Sequence, residues 1–128
     1  FSEIYADYRI VITGTENEKP VINQLMKNIR SDFKTSVHDV SGMLDLKELM
    51  ILIDNSDLFI SNSTGPIHIA GALNRNIIGF YPNEKPMSDT RWKPLSENTV
   101  ILKPDGISDD MDLITEDIIM KAVTSFLK

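Results

Sequence analysis

The sequence predicts an α/β fold: a Rossmann-like parallel sheet of about four strands with helices on both faces. Three observations carry this. Short apolar runs alternate along the chain with stretches whose apolar residues recur at helical spacing, which is the signature of βα units. Those runs are apolar throughout rather than alternating, as expected of strands covered on both faces. Finally, residues 57–82, DLFISNSTGPIHIAGALNRNIIGFYP, compress strand, polar turn, helix and strand into one βαβ unit.

Taken in order, residues 1–7 form a short amphipathic segment, expected to end an earlier helix. Tyr8 to Thr13 (YRIVIT) is rich in β-branched and aromatic residues and reads as a buried strand ending at Gly14. Gly14 to Asn17 is a turn in which Thr15 or Asn17 can cap the next helix. From Glu18, Val21, Ile22, Leu25, Met26 and Ile29 fall on one helical face, with Pro20 suited to the first turn. Thr35 to Val40 is a weaker strand, followed by Ser41-Gly42. Leu44 to Asn55 reads as a helix, with Asp45 near its positive end.

The βαβ unit comes next. Leu58, Phe59 and Ile60 form its first strand, Ser61 to Gly65 its turn, and Pro66 opens the helix. Ile77 to Tyr81 forms the second strand. Asn83 to Asn98 is a polar loop holding the only tryptophan, Trp92. Thr99 to Leu102 is a short strand, and Pro104 to Asp112 an acidic loop. Thr115 to Leu127 is a closing helix capped by Thr115, with Ile118, Ile119, Ala122, Val123, Phe126 and Leu127 inward.

Composition narrows the function. The 128 residues suffice for one domain with a core, and 41% hydrophobic with 25% charged content is ordinary for a globular chain. A net charge of −6 argues against nonspecific nucleic-acid or anionic-membrane binding, though it leaves room for one local anion site. The absence of cysteine removes disulfide and thiolate chemistry and leans toward the cytosol. No apolar run approaches the roughly 20 residues of a membrane span, and no signal peptide is visible. The chain opens on Phe1, so it is expected to be part of a longer polypeptide.

Ligands of open α/β sheets sit off the carboxyl ends of the strands. Three turns qualify: Gly14–Asn17, Ser41–Asp45 and Ser61–Gly65. The last is the richest, because Ser61, Asn62, Ser63 and Thr64 supply donors and Gly65 permits close backbone approach. With the helix dipole they suit a phosphate or diphosphate without net positive charge. His68 lies one turn in. A plainer reading stays open: these polar residues only cap the helix, and His68 is a satisfied core histidine. GxxxxGK[ST], GxGxxG and GxSxG motifs are all missing, which disfavours a P-loop NTPase, a dinucleotide dehydrogenase and an elbow hydrolase. His38 and His68 are isolated, so no zinc spacing appears, and the acidic run from Asp105 to Asp112 departs from the EF-hand pattern.

The segment SNSTGPIHIAGALNRNIIGFYP closely resembles the signature of glycosyltransferase family 9, the lipopolysaccharide heptosyltransferase group. Asn62, Thr64, Gly65, His68, Ala70, Ala72 and Leu73 match it. IVITGTENE and VSGMLDLKELMILIDNSDLFI resemble the blocks that precede it, in the same order. The resemblance implies a two-domain GT-B enzyme, of which residues 1–128 are a single nucleotide-sugar-binding domain, the C-terminal donor half. It implies transfer of a sugar, heptose from ADP-heptose, to a lipid-linked saccharide acceptor of lipopolysaccharide type held by the other domain. The implied transfer is inverting and needs no obligate metal or other cofactor, with the catalytic base in that missing domain. It also implies a cytoplasmic protein, peripheral at the inner membrane in full-length form.

By position, Thr64 and Gly65 would meet the diphosphate with hydroxyl and backbone donors, Ser63 would stand beside them in the substrate-binding set, and His68 would lie beside the phosphates or the sugar. Gly42, Met43 and Leu44 would line the base pocket, and Glu16 would sit near the donor. Ser63 stands where the family usually has Asp, Asn76 where proline is common, and Pro82 where glycine is frequent. Alternatives are a non-catalytic nucleotide-binding module and a GT-B relative such as a sugar-nucleotide epimerase. The chain alone is expected to bind nucleotide weakly and not to turn over.

Overall fold

Five short parallel strands, the most β-branched being IVI at residues 10–12 and TVIL at residues 99–102, are built in the computed structural model, which describes residues 7–84 and 89–127. Backbone contacts divide the chain into two units, Phe1–Glu48 and Leu49–Lys128. The segment expected to end an earlier helix lies, save Asp7, outside the described residues.

In the first unit β1 (Ile10–Ile12) pairs in parallel with β2 (Val37–Asp39), Ile10 opposite Val37 and Ile12 opposite Asp39. The crossover contains α1 (Lys19–Asn28), with Pro20 in its first turn as expected. Thr15 donates from its N–H (2.6 Å) and its hydroxyl (2.9 Å) to the Glu18 carboxylate, fixing the turn before the helix. Those bonds hold the Glu18 carboxyl below its ordinary value. The apolar face of α1 is narrower than expected. Ile22 is buried and Met26 and Ile29 are half-buried, while Val21 and Leu25 are exposed. The reason is angular: at 100° per residue Val21 and Leu25 form a second stripe beside that of Ile22, Met26 and Ile29.

Helix α2 (Leu46–Asp54) runs across the boundary between the units. It starts two residues later than expected because Asp45 and Glu48 cap it reciprocally, each N–H donating to the other's carboxylate at 2.8 and 2.7 Å.

The second unit has strand order β3-β4-β5, all parallel: β3 (Phe59–Asn62), β4 (Ile77–Phe80) and β5 (Thr99–Leu102). Helix α3 (Gly65–Ala72) packs on β3 and β4. The core is Ile53, Ile67, Ala70, Ile77 and Tyr81, with Leu49, Phe59, Ile69, Leu73 and Ile101 against it. Each buried isoleucine contributes about 1.5–3 kcal/mol by leaving water. Where an alanine at position 79 would need space, Ile67 Cδ1 and Tyr81 Cε2 already lie 2.8 Å from the would-be Cβ. Gly79 is therefore a packing requirement.

Three sequence expectations change here. The single sheet of about four strands is two sheets with five strands among the described residues. Strands were expected to be covered on both faces, but only the central β4 is buried at consecutive positions; Val11 and Ile60 are more than a third exposed. Edge strands have one neighbour and less cover, so apolar composition alone does not report two-sided burial. On α5 (Glu116–Phe126), capped by the Thr115 hydroxyl, Ala122 and Val123 are buried but Ile118 is exposed. Ile118 sits in the first turn, at the margin of the inward stripe.

The loops are more ordered than their composition suggests. A one-turn helix, α4 (Asp89–Trp92), interrupts the polar loop. The Asn83 amide donates to the carbonyls of Pro104 (2.9 Å), Gly106 (3.2 Å) and Ser108 (2.7 Å), gathering the acidic loop around one side chain. Asn76 donates to the Asp57 carbonyl at 2.9 Å, a bond that a proline there would forgo.

Candidate functional site

The expected polar turn begins later than its sequence suggests. Ser61 and Asn62 belong to β3, pairing with Gly79 and Phe80, so the strand carries its polar end to the sheet's carboxyl edge. Only Ser63 and Thr64 form the turn into α3. Pro66 occupies the first turn of that helix, where its missing N–H costs nothing.

Thr64 holds the N-cap position but makes no side-chain cap bond. Its hydroxyl instead shares a 3.2 Å hydrogen bond with that of Ser61 and reaches the Asn62 carbonyl at 3.4 Å. Gly65 is the first residue of α3, so its N–H, at the positive end of the helix, has no acceptor within the helix. Gly65 is exposed, its φ is not left-handed, and no atom lies within 4 Å of where a Cβ would stand. Neither strain nor packing asks for glycine there.

His68 is exposed, which removes the core-histidine reading. Its ring faces that of Trp92, centroids 6.3 Å apart and planes tilted by 59°. Ser63, Thr64, Gly65, His68 and Trp92 line a cleft of about 280 Å³. A second cavity of about 500 Å³ adjoins Asn62 and Ser63 and is otherwise walled by apolar side chains, among them Phe80, Met111 and Ile119.

Beneath the first cleft lies Tyr81, fully buried at the carboxyl end of β4. Its hydroxyl donates to the Trp92 carbonyl at 2.7 Å. Burial pushes the phenol above its ordinary value of 10.0, the Ser63 hydroxyl pulls it back in part, and the Asp89 carboxylate adds to the rise. Sequence reading missed both aromatic residues: Tyr81 passed as the end of an apolar run, and Trp92 as a loop residue. A lone tryptophan within a polar loop was the available signal.

The other four candidates lie in the first unit. Gly42 has φ +69°, so a side chain there is strained, and its would-be Cβ falls on the Glu16 carboxylate. Glu16 and Gly42 are thus neighbours. The Gly42 N–H donates to the Gly14 carbonyl at 2.8 Å, tying the two turns together. Met43 is exposed and Leu44 half-buried. The turn is held by Asp39, whose carboxylate accepts from the hydroxyl (2.6 Å) and N–H (2.9 Å) of buried Ser41. Those two bonds, the hydroxyl's first, hold the Asp39 carboxyl below its ordinary value.

The chain is similar to known proteins. The family model described as glycosyltransferase family 9 (heptosyltransferase) matches residues 3–117. A putative glycosyltransferase of Haemophilus influenzae is 30% identical over 128 residues, covering 95% of this chain and 36% of that protein. Lipopolysaccharide heptosyltransferase 2 of Escherichia coli K12 is 24% identical over 96 residues, 75% of this chain and 27% of that protein. Among solved structures, E. coli ADP-heptose lps heptosyltransferase II shares the fold with a TM-score of 0.83 at 21% identity, over 98% of this chain and 38% of that one. A family 9 glycosyltransferase from Veillonella parvula aligns with a TM-score of 0.77 at 16% identity, over 94% and 36%. The chain therefore spans about a third of the length of the curated relatives it matches.

Proposed function

The chain belongs to glycosyltransferase family 9, and we propose that it is the donor-binding part of a glycosyltransferase that moves a sugar from a nucleotide diphosphate to a saccharide acceptor. The observation that carries this is Gly65. A glycine that neither backbone nor packing requires, at the open positive end of a helix and on the wall of a cleft, is explained by close approach of a ligand. A diphosphate fits the donors there. The Gly65 N–H and the Thr64 hydroxyl would stabilise the charge that develops on it as the sugar leaves.

Heptose carried on ADP is the donor we favour, because several relatives of this chain are heptosyltransferases. The acceptor would be a lipid-linked saccharide of lipopolysaccharide type, bound by a further domain that also supplies the base for inverting transfer. We assign Gly42, Met43 and Leu44 to the nucleobase and Glu16 to the donor side of their own unit. We place the full protein in the cytoplasm, at the inner membrane surface. Among the described residues no helix is long and apolar enough to cross a membrane.

Isothermal titration of this chain with ADP, UDP and GDP tests the reading. ADP preference is expected, with weak binding and no transfer by this chain alone. UDP preference would favour an epimerase-like relative. Binding of none of the three would count against a donor site.

A further inference from the structure

The same donor reading leaves the 280 Å³ cleft only half explained, because phosphate chemistry accounts for Thr64 and Gly65 but not for an indole in the same lining. Trp92 is 41% exposed, an uncommon state for the largest apolar side chain unless something covers it. Nor is it a side chain on a free loop. Its carbonyl takes the hydroxyl of fully buried Tyr81 at 2.7 Å. The far end of its one-turn helix is held by Lys103, whose ammonium meets the Asp89 carboxylate at 2.8 Å. The residues after it are fixed against α3: a Cβ on Gly71 would stand 2.8 Å from the Leu95 nitrogen and 2.9 Å from Pro94 Cβ. The fold thus fastens the backbone on both sides of Trp92, a residue that lines the cleft.

The chemistry of the walls suggests the occupant. The lining combines an indole beside the His68 ring with the hydroxyl-bearing residues Ser63 and Thr64. A nucleobase seeks apolar contact on both faces, whereas a sugar ring presents C–H groups on one face and hydroxyls at its rim. The volume is just below the roughly 300–1,000 Å³ of sites for drug-sized ligands, enough for one ring and a phosphate but not for a whole sugar nucleotide. Resting on the donor reading above, we propose that Trp92 is the wall on which the donor's sugar ring packs. Tyr81 is its positioning residue, setting the indole through the backbone carbonyl.

Trp92 is the chain's only tryptophan, so its fluorescence reports the contact directly. The chain and its Trp92→Ala, Trp92→Phe and Tyr81→Phe variants are titrated with two pairs of probes, ADP with ADP-heptose and UDP with UDP-glucose. In the pair that binds, the sugar nucleotide is expected to bind more tightly than its nucleotide and to change the tryptophan emission more. Trp92→Ala should weaken the sugar nucleotide about five- to tenfold, the range of one aromatic contact, and leave the nucleotide within about twofold. Trp92→Phe, which keeps an aromatic face, should recover most of the loss. Tyr81→Phe should shrink the emission change on sugar binding while leaving nucleotide affinity unchanged. Equal weakening of both probes by Trp92→Ala, or of neither, overturns the proposal. Should Trp92→Ala fail to fold, an unchanged emission when the sugar nucleotide binds the parent chain overturns it as well. Binding of no probe by the parent chain defeats the donor reading and this inference together.

Discussion

Replacing Gly65 with alanine separates ligand approach from fold stability. A Cβ there meets no protein atom within 4 Å, and the backbone is not left-handed. Alanine also restricts the unfolded chain, so Gly65→Ala should stabilise the fold by about 0.4–1 kcal/mol. For 128 residues, each kcal/mol moves Tm by about 4 °C, giving a rise of about 2–4 °C. Nucleotide binding should move the other way. The added methyl takes the space through which a phosphate oxygen reaches the N–H, and a hydrogen bond to a charged group is worth about 1.5–3 kcal/mol. That is a loss of about 10- to 150-fold in affinity. Gly71 and Gly79 serve as controls, because their would-be Cβ atoms lie 2.8 Å from the Leu95 nitrogen and from Ile67 Cδ1. Overpacking at either should cost about 1–3 kcal/mol and lower Tm by about 4–12 °C. Scanning calorimetry and isothermal titration with ADP and ADP-heptose read the two effects. A Gly65→Ala chain that melts lower, or binds as tightly as the parent, refutes the assignment of Gly65 to ligand approach.

Restoring an acidic residue at position 63 is a sharper probe of catalysis: in a polypeptide carrying the acceptor domain, Ser63→Asp should raise transfer, and an unchanged rate would argue against a family role for that carboxylate. The alkaline limb of stability should report Tyr81. Its phenol titrates higher folded than unfolded, so its contribution is full below pH 10.0 and fades as pH rises through the folded value. Tyr81→Phe should flatten that limb in melts followed by circular dichroism and cost about 0.5–1.5 kcal/mol at neutral pH. Acid has the opposite sign. Glu18 and Asp39 are depressed from 4.5 and 3.8, so their contribution is complete above those values and is lost as pH falls through the folded ones. Asp39→Asn should therefore weaken the dependence of Tm on pH on the acid side of 3.8; an undiminished slope would show that the Ser41 bonds contribute nothing.

Local signals settled much of this protein. Pro66 marked a helix start to within one residue, Thr115 a cap, and the β-branched run Thr99–Leu102 a strand whose bounds the structure repeats, because each depends only on neighbours along the chain. The place of the polar turn before α3 was legible too, since strand, turn and helix are contiguous and the ligand-ready end of a βα unit is set by their order, although its first two residues, Ser61 and Asn62, extend β3. What the sequence could not say was which apolar residues face inward. Val21, Leu25 and Ile118 match a helical stripe, yet only the shape of the neighbouring elements decides which edge of the stripe is covered. Nor could it pair residues far apart. Tyr81 and Trp92 are 11 positions apart, and Asn83 reaches as far as Ser108, 25 positions away. Such bonds form only after the sheet has brought the loops to one edge. The exposure of His68, the indole beside it and the open space at Gly65 are consequences of that convergence. Chain order specified the βα scaffold; packing between distant segments decided what its open end can hold.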